Sequence, residues 1–92
     1  MKKAVNIKVS RQAAQKNGYC RYARLAAEDF SIVGKMEKLS DGSVYIEAQG
    51  EEDSLNDFIA YCQSGPAWAR VNEEDVEIVP MEVNESFTEF LS

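Results

Sequence analysis

No histidine occurs in this chain of 92 residues. The commonest general base at neutral pH is therefore missing, and with it every zinc site that needs imidazole. Cysteine is scarce: the two present cannot complete a four-ligand structural zinc site, nor do they make a disulfide scaffold. Apolar runs are short, far below the ~20 residues that a membrane-spanning helix requires. Met1-Lys2-Lys3 leads into alternating polar and apolar residues, so no secretory signal is expected and the cytoplasm is the default address. Basic charge is also in deficit, with 10 Lys and Arg against 16 Asp and Glu and a net charge of −6. Such a surface repels phosphate-rich polymers, which excludes general nucleic-acid binding.

What is present is globular: 45% of residues are hydrophobic and 28% charged, without a low-complexity tract. A single domain over residues 1–92 is expected, as a monomer. A chain of this size buries only roughly 60–65% of its unfolded surface, which still suffices for one small core.

The periodicity assigns elements in turn. Val5, Ile7 and Val9 alternate with Asn6, Lys8 and Ser10, the pattern of a half-buried strand over 4–10. Residues 11–18 are polar and end in Lys16-Asn17-Gly18, a loop. From Tyr19 the period becomes helical, with Tyr19, Ala23, Ala26 and Phe30 on one side and an Arg24–Glu28 pair on the other. Ser31–Leu39 and Ser43–Gln49 form a hairpin around Ser40-Asp41-Gly42, and Gly50 ends the second strand. A second helix starts at Asp53 or Ser54, with Asp57 as a weak capping box; Leu55, Phe58, Ile59 and Cys62 form its apolar stripe. Gly65-Pro66 stops it. A fourth strand lies within 69–79, and 87–91 adds a short edge strand. The order β-α-β-β-α-β predicts an α+β ferredoxin-like sandwich, a four-stranded antiparallel sheet with both helices on one face.

Between residues 4 and 90 the sequence resembles the acylphosphatases. The most specific stretches are LSDGSVYIEAQGEEDSLNDFIAYCQSGP and AWARV, and the spacing from Gly18 through Gly34 to Asp41-Gly42 fits without a gap. The resemblance implies the same fold, no cofactor, and hydrolysis of the carboxyl-phosphate bond of small acyl phosphates. In that family the loop before the first helix carries Gly-x-Val-Gln-Gly-Val-Gly-Phe-Arg. Its backbone N–H groups and arginine cradle the phosphate, and an asparagine late in the second strand orients the attacking water. Unpaired donors at a helix N-terminus and a bidentate guanidinium suit that task without a histidine.

Carried over residue by residue, the resemblance matches Gln15 and Gly18 to the loop and Tyr19 to the phenylalanine, while Lys16 and Asn17 replace a glycine and a valine. Those five residues are the candidate anion-binding set. The catalytic arginine falls on Cys20 and the catalytic asparagine on Lys38. Arg21 could stand in for the arginine. That pairing needs a gap before Gly34, and it turns the guanidinium by about 100° around the helix. The resemblance thus implies a catalytically impaired family member that retains binding of a small anion or acyl phosphate. The alternatives are an active acylphosphatase working through Arg21 and the loop around Gly18, or a protein-interaction module using an exposed sheet edge.

Other residues have plainer readings. Lys16 and Lys38 are either part of an anion site or solvated lysines. Cys20 at a helix start could be an activated thiol or a small packed one, and a Cys20–Cys62 bridge is conceivable. Glu73-Glu74-Asp75 with Glu77 lacks the ligand pattern of a calcium loop and reads as a solvated strand end; no metal site is expected. Glu51-Glu52-Asp53 complements a helix dipole, and Trp68 caps the core.

Overall fold

The computed structural model describes residues 1–15, 18–65 and 71–91. Five strands and three helices follow in the order β1 (Lys2–Val9), α1 (Arg11–Ala14), α2 (Tyr19–Asp29), β2 (Val33–Lys38), β3 (Val44–Glu51), α3 (Glu52–Ser64), β4 (Val76–Met81) and β5 (Phe90–Leu91), with a 3-10 turn at Glu73–Asp75. The sheet order is β4-β1-β3-β2-β5. Its first four strands are mutually antiparallel, and β5 joins β2 in parallel through Gly34↔Phe90 and Lys35↔Leu91. The expected ferredoxin-like α+β arrangement is therefore present, enlarged to a mixed five-stranded sheet.

Strand alternation decides which face is buried. Val5, Ile7 and Val9 of β1 sit beside Ala48, Ile46 and Val44 of β3, and all six are buried. Against them α2 packs Tyr19, Ala23, Ala26 and Ala27, while α3 packs Leu55, Phe58 and Cys62. Fully burying one residue such as Ile7 or Ile46 contributes about 1.5–3 kcal/mol. On the open face Tyr45 donates to Glu47 at 2.8 Å, and Lys35 pairs with Glu37 at 3.4 Å.

Gln49 falls on that open face by alternation, yet it is 1% exposed. The segment around Asn84 crosses over it. Gln49 Nε2 donates to the Asn84 carbonyl at 2.9 Å, and the Asn84 N–H donates to Gln49 Oε1 at 2.8 Å. The side-chain amide thus imitates one rung of a strand ladder and clips the C-terminal segment down. Gly34 is needed for close approach: its φ is +142°, and a Cβ there would lie 1.8 Å from the Glu47 carbonyl oxygen.

Four local expectations are corrected. Within 11–18, Arg11–Ala14 forms a helical turn, because Ser10 Oγ accepts from the Ala13 N–H at 3.3 Å and Ala13 is buried. Gly50 does not end β3, since its pairing with Lys3 carries the strand on to Glu51. α3 begins at Glu52 rather than Asp53 or Ser54, with no side-chain cap; Glu52 and Asp53 in its first turn complement the dipole instead. Arg24 and Glu28 make no ion pair within 4.0 Å. The hairpin does form around Asp41, whose carboxylate accepts from the Ser43 N–H and Oγ at 2.9 and 2.6 Å, with Gly42 at φ +91°. Gly65 caps α3 at φ +64°, its N–H bonded to the Tyr61 carbonyl at 2.8 Å. Trp68 lies outside the described residues.

Candidate functional site

The start of α2 leaves donors without an acceptor among the described residues. Gly18 is its N-cap at φ +84° and makes no side-chain cap bond. The first helical bond runs from the Tyr22 N–H to the Gly18 carbonyl at 2.8 Å. The N–H groups of Tyr19, Cys20 and Arg21 precede it and have no acceptor within the helix. Together with the helix dipole they make this end electropositive.

These donors open on a cleft of about 390 Å³ whose walls include Gln15, Gly18, Cys20, Arg21, Lys38 and Gly42. Lys38 reaches it because β2 alternation places Met36 and Lys38 on the helix-covered face. Gln15 reaches it from the end of α1. The hairpin tip is seated against the same helical turn: a Cβ on Gly42 would meet Arg11 Cγ at 3.1 Å and Gln15 Nε2 at 3.4 Å. Arg11 also helps hold the exposed Asp41 carboxyl below its usual range, after the larger effect of the Ser43 hydrogen bonds. Among the described residues the cleft carries two cations, Arg21 and Lys38, and no carboxylate. On a chain of net charge −6 that is a local inversion of sign.

Tyr19 contributes differently from the rest. Its ring is fully buried, and its hydroxyl donates to the Cys62 carbonyl at 2.7 Å. Burial above all, with the nearby Cys62, Cys20 and Tyr22, holds the phenol protonated well above its ordinary range. Only its backbone N–H is placed to meet a ligand. Cys20 is half-buried, Cys62 is fully buried, and both thiols are free, so the conceivable bridge between them does not form. Burial pushes the Cys62 thiol up to about 12. The candidates Lys16 and Asn17 lie outside the described residues. Asp75, from the acidic run, accepts from Ser10 Oγ at 2.8 Å and from the Asn72 N–H at 3.1 Å, which ties the 3-10 turn to the end of β1.

A second groove of about 690 Å³ adjoins the first and shares Cys20, Arg21 and Lys38 with it; Arg24, Met36 and Glu37 complete its lining. The sequence reading missed Arg24 and Met36. The available signal was their spacing: Arg24 is one helical turn beyond Arg21, and Met36 is two residues before Lys38 on the same strand face.

Residues 13–91 match the family model described as Acylphosphatase. The acylphosphatase of Archaeoglobus fulgidus is 39% identical over 70 residues, covering 76% of this chain and 79% of that protein. The acylphosphatase of Thermotoga maritima is 34% identical over 86 residues, 94% of each chain. Among solved structures, an acylphosphatase from Coxiella burnetii superposes with a TM-score of 0.82 at 26% identity, covering 98% of this chain and 90% of that one.

Proposed function

This chain belongs to the acylphosphatase family, and on that premise we propose that it binds small phosphate-type anions at the N-terminus of α2 while hydrolysing acyl phosphates poorly. One observation carries the reading. Among the described residues, the N–H groups of Tyr19 to Arg21, without an acceptor, and the cations of Arg21 and Lys38 line one carboxylate-free cleft. Binding an oxyanion needs donors and positive charge, and both are there.

Hydrolysis needs more. Water must attack phosphorus as the bond to the acyl oxygen breaks, giving a carboxylate and inorganic phosphate. A carboxamide can both donate to and accept from that water; an ammonium group only donates. Lys38 can therefore attract the phosphate but cannot align the water as an acceptor. Cys20 offers a weak S–H donor where the family resemblance puts a bidentate guanidinium. Loss of one preorganised donor costs about 10²–10³ in turnover. A second reading, an active acylphosphatase working through Arg21 and the loop around Gly18, is favoured by the place of Arg21 in the same cleft.

Titration with inorganic phosphate followed by amide NMR separates these. Shifts are expected at Gly18 to Arg21 and at Lys38, and unmoved amides there would overturn the proposal. Assay of a simple acyl phosphate should give little turnover. Robust turnover abolished by Arg21→Ala would replace this reading with the active one.

A further inference from the structure

The larger groove has a wall that the anion reading does not use. Sheet order places β2 next to the edge, and β5 pairs only with its Gly34 and Lys35. The Gly34 N–H donates to the Glu89 carbonyl at 3.0 Å, so the even-numbered residues of β2 direct their backbone groups to that side. The Leu39 N–H donates to Ser43 on the β3 side at 2.9 Å, which fixes the odd-numbered ones the other way. Beyond β5, backbone groups at Met36 and Lys38 face outward with no neighbouring strand among the described residues. This length of edge runs along the groove of about 690 Å³, and α2 forms the opposite wall through Cys20, Arg21 and Arg24.

We propose that the groove between α2 and the free edge of β2 is a docking site for an extended acidic segment of a partner protein, which adds a strand beyond β5 at Met36–Lys38. Unpaired edge groups supply the main-chain hydrogen bonds of strand addition, and alternate side chains of the added strand turn toward or away from the helix. Charge selects the occupant. Among the described residues the lining presents the cations of Arg21, Arg24 and Lys38, and its one acidic residue, Glu37, pairs with Lys35 at 3.4 Å on the open face of the sheet. Elsewhere the protein is acidic, so a basic or neutral strand gains nothing from this groove, and a second copy of the chain meets net repulsion. Half-buried Met36 and Cys20 give the floor an apolar stretch for the intervening side chains. The site extends past the anion cleft and does not depend on an anion being bound there.

The test uses the full chain and two short, capped peptides, one of alternating valine and glutamate, the other of alternating valine and lysine. The acidic peptide should shift the Met36 to Lys38 amides together with those of Arg21 and Arg24, and should slow hydrogen exchange at the Lys38 N–H. The lysine peptide should leave them unmoved. Arg24 is exposed, so Arg24→Glu should keep the fold while weakening the acidic peptide about tenfold, an attraction exchanged for a repulsion. Methylating the peptide nitrogens that face β2 should abolish binding. Binding insensitive to Arg24→Glu, shifts confined to Gly18–Cys20, equal binding of both peptides, or a chain that dimerises through this edge and takes up neither would each overturn the proposal.

Discussion

The Tyr19 hydroxyl donates to the carbonyl of Cys62 at 2.7 Å inside the core, joining the first residue of α2 to the last turns of α3. That carbonyl is one of the last four of α3, which have no donor within the helix. A tyrosine on one helix thus supplies a donor that the end of the other lacks. The same bond fixes the helix start that bears the anion cleft. Tyr19→Phe keeps the ring and removes the donor. It should cost about 1–3 kcal/mol, the penalty for a buried carbonyl losing its partner, read as an earlier urea midpoint with an unchanged slope. Phosphate shifts at Cys20 and Arg21 should shrink as the helix start loosens.

Gly34 and Gly50 both sit in the sheet but predict opposite outcomes. A Cβ on Gly34 would strike the Glu47 carbonyl at 1.8 Å, with φ already at +142°. Gly34→Ala should cost at least about 3 kcal/mol, since backbone must move and β2 carries both β5 and Lys38. A Cβ on Gly50 would press only on the tip of Ile32 at 3.0 Å, a side chain able to give way, and would meet the Ser31 carbonyl oxygen at an ordinary 3.6 Å. Gly50→Ala should cost less than about 1.5 kcal/mol. Thermal unfolding of the two variants checks the ranking.

The elements legible in the sequence are those whose apolar spacing is local. Val5-Ile7-Val9 and Val44-Ile46-Ala48 alternate because one face of each strand is buried, and Tyr19, Ala23 and Ala26 repeat because α2 lies on that face. What escaped depends on partners distant in sequence. Gly50 stays in a strand because Lys3 pairs with it, and Arg11–Ala14 becomes helical because the core takes Ala13. The site divides the same way. Gln15, Gly18, Cys20, Arg21 and Lys38 were named from sequence and do line one cleft. The ring of Tyr19 turned inward, and Arg24 entered a groove whose far wall, Met36, no spacing rule links to it.

Gln49 offers a test of the clip on the C-terminal segment. Gln49→Ala removes both hydrogen bonds to Asn84 and leaves two backbone groups to find water. A loss of about 1–2 kcal/mol is expected. The diagnostic readout is local: the Asn84 amide should lose most of its exchange protection, while Ile7 and Ile46 in the centre of the sheet keep theirs apart from the global change.

Alkaline pH should destabilise the fold through Cys62. Its thiol is held up to about 12 by burial, against an ordinary value of 9.0. The folded state keeps the proton where the unfolded chain releases it, so unfolding is favoured as pH rises. Stability is intact below about pH 9 and falls between there and 12, by up to about 1.4 kcal/mol per pH unit. Tyr19, shifted in the same direction, adds its own share above its ordinary value of 10.0. Urea unfolding at pH 8, 9.5 and 10.5 should show the decline, and Cys62→Ala, though less stable throughout, should show a shallower one below pH 10. Equal slopes in the two proteins would place the alkaline sensitivity elsewhere.

Changing positions 20 and 38 to the residues that the family resemblance puts there is the sharpest test of the proposed reading. Cys20 lines both grooves, so Cys20→Arg has open space for a longer side chain and puts a guanidinium beside the free N–H groups of α2. Lys38→Asn exchanges an ammonium that only donates for a carboxamide that can also hold a water. Alone, Lys38→Asn should weaken phosphate binding several-fold, because it removes one of two cations from the described wall. Alone, Cys20→Arg should tighten it. Only the double change puts a guanidinium at position 20 and a carboxamide at position 38 together, and on the proposed reading its turnover of a simple acyl phosphate should exceed that of the parent by about 10²-fold or more, short of the product of two independent gains because the two groups act on one transition state. If the double variant folds, binds phosphate and still turns over no faster than the parent, then Cys20 and Lys38 are not what limits hydrolysis in this chain.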